Sequence, residues 1–127
     1  MENSLKEWLQ ISEYDLDTAR AMLQTGRYHY VLFMCQQAME KLLKALYVKE
    51  KNQLPPRVHS LPYLSDVLGI SLTDEQKMFL AQLNVFYLEG RYPGEQIQMV
   101  KEIDKVKAQT YLEKTQQVWS CLRGMLP

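Results

Sequence analysis

The stretch Gln36-Gln37-Ala38-Met39-Glu40-Lys41-Leu42-Leu43-Lys44-Ala45-Leu46 decides the fold, because its apolar residues recur at helical spacing. Residues three and four positions apart share one face of an α-helix. Extended towards the N-terminus, the same spacing gives an apolar stripe of Leu32, Cys35, Ala38, Met39, Leu42, Ala45 and Leu46. The pattern predicts a helix over residues 28–51, which ends before Leu54-Pro55-Pro56 because a proline pair cannot continue a helix.

Apolar spacing elsewhere predicts further helices over residues 4–24, 61–68, 73–88 and 97–123. Asn3 or Ser4 is the expected cap of the first, with Glu7 completing a capping box after Ser4. Thr73 is the expected cap ahead of Asp74 and Glu75. No segment alternates as a strand would. Four long helices with short connections predict an all-α fold, an antiparallel up-down four-helix bundle with one additional short helix, in a single domain over residues 1–127.

Composition excludes some classes of function. Fifteen Lys and Arg residues balance fifteen Asp and Glu residues, which argues against a dedicated nucleic-acid coat but leaves room for a local basic pocket. Cys35 and Cys121 are too few for a disulfide framework and lack zinc-site spacing. Free thiols, no apolar signal core and no run of about 18 apolar residues predict a soluble cytoplasmic protein.

Motifs for common catalytic chemistry are missing from the sequence. The five glycines form no phosphate-binding loop, and no HExxH pattern occurs. The chain has only two histidines, His29 and His59, and neither follows a glutamate by three residues as a di-iron bundle requires. We therefore expect no metal site and no cofactor.

Short segments occur in a fixed order that is more specific than any one of them. They are Trp8, Asp15-Leu16, Ala19, Gly26, Tyr28, the core from Gln36 to Ala45, His59-Ser60-Leu61, Leu64, Tyr87 and Arg91-Tyr92-Pro93. Together they resemble the HEPN domain, which is named for nucleotide binding in higher eukaryotes and prokaryotes. The resemblance covers residues 8–93, about two thirds of the chain.

This resemblance implies a four-helix bundle that is usually a homodimer. It also implies a partner, a minimal nucleotidyltransferase, in a two-component system of the toxin–antitoxin type. Some relatives are ribonuclease toxins that use an Arg followed by four to six residues and then His. Here His29 lies nine residues after Arg20, His59 lies two after Arg57, and no histidine follows Arg91. The departure argues against RNA cleavage and against an enzyme.

Two residues are the main candidates for a site. His59 could act as a general acid or base or contact a ligand, since histidine exchanges protons near neutral pH, or it could fix its turn by bonding to the backbone. Arg91 could grip a phosphate with two parallel hydrogen bonds while Tyr92 stacks on a base. The alternative for Arg91 is a structural ion pair with Asp15 or Glu40.

Charged residues of the two longest helices could line the same site. Lys41 and Lys44 would neutralise phosphate, whereas their alternative is a solvated helix face on which Glu40 pairs with Lys44 at i,i+4. Asp15 is favoured as a buried salt-bridge partner over a catalytic base. The predicted ligand-binding set is Arg91, Tyr92, His59, Lys41, Lys44, Glu40, Tyr87 and Asp15.

Three functions remain open from the sequence. The first is a nucleotide- or RNA-binding module that acts with a nucleotidyltransferase. The second is a metal-independent endoribonuclease toxin, for which His59 and Arg91 are the only pair able to supply a base and a cation. The third is a dimeric protein-interaction bundle without a small ligand, since one fold hosts many functions.

Overall fold

The computed structural model describes residues 1–127 and contains six α-helices and no strands. The helices are α1 (Glu2–Gln24), α2 (Tyr28–Lys51), α3 (Leu61–Leu68), α4 (Asp74–Asn84), α5 (Pro93–Glu102) and α6 (Lys105–Arg123). None of them combines enough length with enough apolar character to span a bilayer. The predicted all-α class is confirmed.

The predicted bounds of α2 and α3 are confirmed, and local chemistry explains both. Asn52 ends α2 in the left-handed conformation, which asparagine adopts more readily than most residues. Ser60 caps α3, because its Oγ accepts a hydrogen bond from the Tyr63 N–H at 3.2 Å. Thr73 caps α4 as predicted, within a capping box shared with Gln76.

Other predicted helix ends are wrong. Helix α1 begins at Glu2, so neither Asn3 nor Ser4 caps it, and no side chain bonds to its first N–H groups. The first turn is exposed, so water can satisfy those groups, and Glu2 complements the positive end of the helix dipole. Helix α4 ends at Asn84 and not at Leu88.

The predicted last helix over 97–123 is two helices. Helix α5 starts early, because Pro93 occupies its first position, where the missing N–H costs nothing. Ile103 then breaks the helix with an extended backbone and buries its side chain. Asp104 starts α6 by accepting the Lys107 N–H on Oδ1 at 2.8 Å.

Helix α2 lies at the centre of the packing, in contact with every other helix of the chain. The hydrophobic core draws buried residues from α1, α2, α3, α4 and α6, whereas α5 contributes none. One polar residue on the α1 stripe joins three elements. The Ser12 hydroxyl donates to the Ala38 carbonyl at 2.6 Å and accepts from Trp119 Nε1–H at 2.8 Å.

The break before α6 depends on Asp104 and can be tested by substitution. We expect Asp104→Ala to lower the free energy of unfolding by about 1 kcal/mol, since an N-cap is lost. Urea unfolding followed by circular dichroism measures the change. Glu113→Ala, an exposed change inside α6, is the control and should stay within about 0.5 kcal/mol. Equal effects of the two substitutions would contradict the cap.

The two cysteines should differ sharply in reactivity. Burial raises the pKa of the Cys35 thiol to about 12, whereas Cys121 is exposed. The thiolate is the reactive form. We therefore expect one equivalent of thiol to react quickly with a disulfide reagent in the folded protein, and the second only after unfolding. Loss of the fast phase in Cys121→Ser would assign it, whereas fast reaction of both thiols in the folded state would contradict the burial.

Candidate functional site

A column of buried polar side chains runs along one face of α2. Gln36, Glu40 and Lys44 follow one another at i,i+4 spacing and are all buried. Lys44 Nζ lies 3.2 Å from Glu40 Oε2, and the two side chains are 6% and 2% exposed. Gln36 Nε2 donates to Glu40 Oε1 at 3.3 Å. The Glu40–Lys44 pair predicted from spacing is present, but it is buried and not on a solvated face.

Lys44 has a second partner on α1. Its Nζ lies 5.3 Å from the centre of the Trp8 ring, so the ammonium group is enclosed between a carboxylate and an aromatic face. Such a lysine cannot also face an open pocket. Contrary to prediction, the structure does not bring Lys44 to a surface where phosphate could reach it.

The loop after Pro55-Pro56 places His59 against this column. His59 Nδ1 lies 3.2 Å from both oxygens of Glu40, and its carbonyl accepts from Gln36 Nε2 at 3.1 Å. Because a carboxylate accepts hydrogen bonds, the arrangement assigns the proton to Nδ1. The ring is therefore held in one orientation, and Nε2 is the nitrogen available to a ligand.

Tyr87 covers one face of the His59 ring. The two ring centres are 4.6 Å apart and the planes differ by 17°. The Tyr87 hydroxyl donates to Glu89. Burial, together with that bond, raises the pKa of Tyr87 above its ordinary value. Tyr87 thus fixes the plane of the imidazole by stacking on one side of it.

These groups line an open polar pocket of about 350 Å³, a size typical of small-molecule sites. The lining residues are His59, Ser60, Asn84, Tyr87, Glu89, Gly90 and Arg91. Asn84 Oδ1 accepts the Leu61 N–H at 2.9 Å, which leaves its amide NH₂ available. Gly90 has a φ of +84°, so the turn that delivers Arg91 favours glycine.

Arg91 lies in this pocket but has local partners. Its Nε donates to the Tyr87 carbonyl at 3.0 Å, and Nη2 donates to the Val85 carbonyl. Nη1 lies 3.3 Å from Glu95 Oε2, a half-exposed carboxylate. The predicted alternative of a pair with Asp15 or Glu40 is wrong, because the guanidinium instead satisfies carbonyls after α4. Glu95 is the one side chain among these three partners, so the Nη1 contact is the one that an incoming anion could replace without breaking a bond to the backbone.

Lys41 and Asp15 form a second pair beside the column. Lys41 Nζ lies 3.2 Å from Asp15 Oδ2 and 2.9 Å from Gln37 Oε1. Burial raises the pKa of Asp15, although Lys41 acts in the opposite direction. Gln37 donates to Gln36 at 2.7 Å and thereby joins the two pairs. The expectation of a salt-bridge partner at Asp15 is confirmed, and neither Lys41 nor Asp15 lines the pocket.

Of the predicted set, His59, Tyr87 and Arg91 line the pocket, and Glu40 supports it from below. Tyr92 is 77% exposed and lies outside the lining, with its N–H donating to Glu95. Sequence reasoning missed Asn84 and Glu89. Their positions depend on where α4 ends, and the sequence placed that end four residues too late.

A second cleft of about 310 Å³ lies between α4 and α6, but half of its polar lining residues are glutamines and it contains no histidine or arginine. No group of three or more His, Cys, Asp or Glu side chains is arranged to hold a metal ion. The oriented imidazole and the nearby guanidinium therefore identify the His59 pocket as the candidate site, on chemistry and not on volume.

Comparison with known proteins identifies a family and similar folds. The sequence of residues 5–125 matches the family model of the HEPN domain. The crystal structure of TT1696 from Thermus thermophilus is similar, with a TM-score of 0.85, 23% identity, and coverage of 98% of this chain and 99% of that chain. ST0689, described as an archaeal HEPN homologue, has a TM-score of 0.73 at 20% identity, covering 95% and 96%. No curated protein matches the chain.

The loss of stability on substitution should distinguish the buried Glu40–Lys44 pair from an ion pair on the surface. We expect Lys44→Met to lower the free energy of unfolding by about 3 kcal/mol, because Glu40 would remain buried without its cation. The matched control is Lys6→Met, which breaks the i,i+4 pair with Glu2 at 69% and 84% exposure and should cost under about 0.5 kcal/mol. Chemical denaturation of both variants gives the comparison. Similar losses would show that the Glu40–Lys44 pair is not a buried ion pair in solution.

Proposed function

Because the chain belongs to the HEPN domain family, we propose that it is a nucleotide- or RNA-binding helical module whose ligand occupies the His59 pocket. One observation carries the proposal. A buried carboxylate orients the His59 imidazole, Tyr87 fixes its plane, and Nε2 is left for a ligand in a polar pocket.

The pocket suits a phosphate group. The Asn84 amide and the Ser60 hydroxyl can each donate to phosphate oxygens, whereas His59 Nε2, without a proton in this tautomer, can accept a hydrogen bond from a hydroxyl of the same ligand. Arg91 can turn Nη1 from Glu95 towards the anion, since a guanidinium–phosphate contact is charge-assisted and strong. Lys44 contributes indirectly, because it neutralises Glu40, the carboxylate that contacts His59, and Lys41 does the same for Asp15 beside it. Glu89 limits the negative charge that the site accepts, which favours one phosphate over three.

We infer that α1, α2, α4 and α6 are the four helices of an antiparallel up-down bundle, in a single domain over residues 1–127. Trp8 contacts Lys44 whereas Ser12 contacts Ala38, so the contacts move back along α2 as α1 advances, which supports opposite directions for the two helices. Gln76 contacts Cys121 and Phe79 packs near Tyr111, which supports opposite directions for α4 and α6.

The family further suggests a homodimer acting with a minimal nucleotidyltransferase partner in a two-component, toxin–antitoxin-like system. We place it in the cytoplasm, where the free thiols Cys35 and Cys121 would stay reduced. In such a pair, the pocket would hold the nucleotide or RNA end that the partner modifies or competes for.

A metal-independent endoribonuclease is the second candidate, favoured by one observation. His59 and Arg91 line the same pocket although their sequence order and spacing match no ribonuclease signature. His59 Nε2 could accept the proton of a ribose 2′-hydroxyl as that oxygen attacks the adjacent phosphorus, and Arg91 could stabilise the added negative charge. The bond from phosphorus to the 5′-oxygen then breaks, which leaves a 2′,3′-cyclic phosphate and a 5′-hydroxyl protonated by His59 or by water. RNA cleavage in chelator that persists unchanged in both His59→Ala and Arg91→Ala would remove these residues from the reaction.

Ligand binding at the pocket is tested by thermal unfolding with mononucleotides, triphosphates and short RNA. A ligand at about 100 times its dissociation constant should add about 2.7 kcal/mol, which raises Tm by several degrees. We expect His59→Ala to lose this shift, whereas Lys77→Ala, an exposed charge on α4, should retain it. No shift with any of these ligands would contradict the proposal and favour a protein-interaction bundle.

A further inference from the structure

Aromatic rings continue from the His59 pocket across the surface of α2. His59 stacks on Tyr87, and the Tyr87 ring centre lies 6.3 Å from that of Phe33. Tyr30 precedes Phe33 by three residues on α2, so the two share one face. The Tyr30 ring centre is 3.9 Å from that of His29. We call these five rings, His59, Tyr87, Phe33, Tyr30 and His29, the aromatic track.

The far end of the track lies at another pocket, of about 260 Å³, at the turn between α1 and α2. Its lining residues are Gly26, Arg27, Tyr28, His29, Tyr30, Val100 and Ile103. Arg27 is exposed there and pairs with no carboxylate. The track thus begins near one arginine, Arg91, and ends near another.

The rings of the track are not required by the core. Phe33 is partly exposed and is absent from the hydrophobic cluster, although Leu32 belongs to that cluster and Met34 packs against it. Tyr30 is 40% exposed. Exposed apolar surface that is bordered by polar residues is the kind of surface that marks an interaction site.

We propose that the aromatic track binds single-stranded RNA, with successive bases stacked on Tyr87, Phe33 and Tyr30 and phosphates near Arg91 and Arg27. This inference rests on the proposed function and specifies its ligand. From the position of Glu40 to that of His29 the track follows α2 for roughly 16 Å. Stacked bases rise about 3.4 Å per nucleotide, so four or five nucleotides fit.

The exposed rings favour single-stranded RNA over duplex RNA as the ligand of the track. In a duplex the base faces are already stacked on one another, so rings on a protein surface cannot engage them. Base–aromatic stacking tolerates any sequence. With a net charge of zero and arginines only at the two ends, affinity must come mainly from stacking. A slope of about −1.4 is expected for the logarithm of the binding constant against that of salt, given two phosphate contacts on a single strand.

The test compares a labelled five-nucleotide adenylate RNA with adenosine monophosphate, using fluorescence anisotropy and direct titration. We expect Tyr30→Ala and Phe33→Ala each to weaken RNA binding about tenfold while monophosphate binding changes less than about twofold. His59→Ala should weaken both ligands. The control Tyr14→Ala removes an aromatic ring that is 68% exposed on α1 and off the track, and should change neither.

Each other outcome overturns the track. If the monophosphate binds but the RNA binds no more tightly, or if Tyr30→Ala leaves RNA affinity unchanged, the pocket stands and the track fails. If neither ligand binds, the proposed function fails as well. Analytical ultracentrifugation of Tyr30→Ala addresses a second copy of the chain as the occupant, since dissociation of a dimer by this substitution would assign the track to a subunit interface.

Discussion

The rest of the structure depends on the burial of one carboxylate, that of Glu40. Removing a carboxylate from water costs several kcal/mol, so a 2% exposed side chain needs compensating partners. Lys44 supplies the charge, and at 3.2 Å its attraction is worth about 5 kcal/mol for an effective dielectric constant of 20. Gln36 and the His59 ring supply the remaining hydrogen bonds. The carboxylate therefore links α2 to the loop that precedes α3. This link fixes the position of the His59 ring in the candidate site.

The pocket is built outward from this point by contacts that each constrain the next. Glu40 sets the direction of the His59 ring, and Tyr87 sets its plane. The Tyr87 carbonyl in turn holds Arg91, which also satisfies the backbone where α4 ends. A polar network of this kind stabilises a single arrangement when its buried members are paired. Here Nε2 of His59 is the nitrogen that remains available to a ligand. The aromatic rings of α2 extend the same surface towards Arg27.

Helical periodicity was sufficient to predict α2 and α3 with their bounds, because their ends carry local signals at Asn52, Ser60 and the proline pair. It failed between α5 and α6. There a single buried isoleucine with extended backbone and an Asp104 cap interrupt an otherwise continuous apolar pattern. The burial of Glu40 could not be predicted from the sequence either. Spacing correctly paired it with Lys44, but only the packing of α1 and the Pro-containing loop buries that pair. Lys41, Lys44 and Arg91 all carried the right charge for phosphate, yet two of them are committed to carboxylates and the third largely to carbonyls.

The central claim is that Glu40 orients His59 so that Nε2 faces a ligand. Long-range ¹H–¹⁵N NMR of the histidine rings at about pH 8 tests it directly, since it reports which nitrogen of a neutral imidazole holds the proton. We expect His59 to carry its proton on Nδ1, and Glu40→Gln to shift the ring towards the other tautomer while His29 is unchanged. A proton on Nε2 in the unmodified protein, or a His59 signal that does not respond to Glu40→Gln, would contradict this claim.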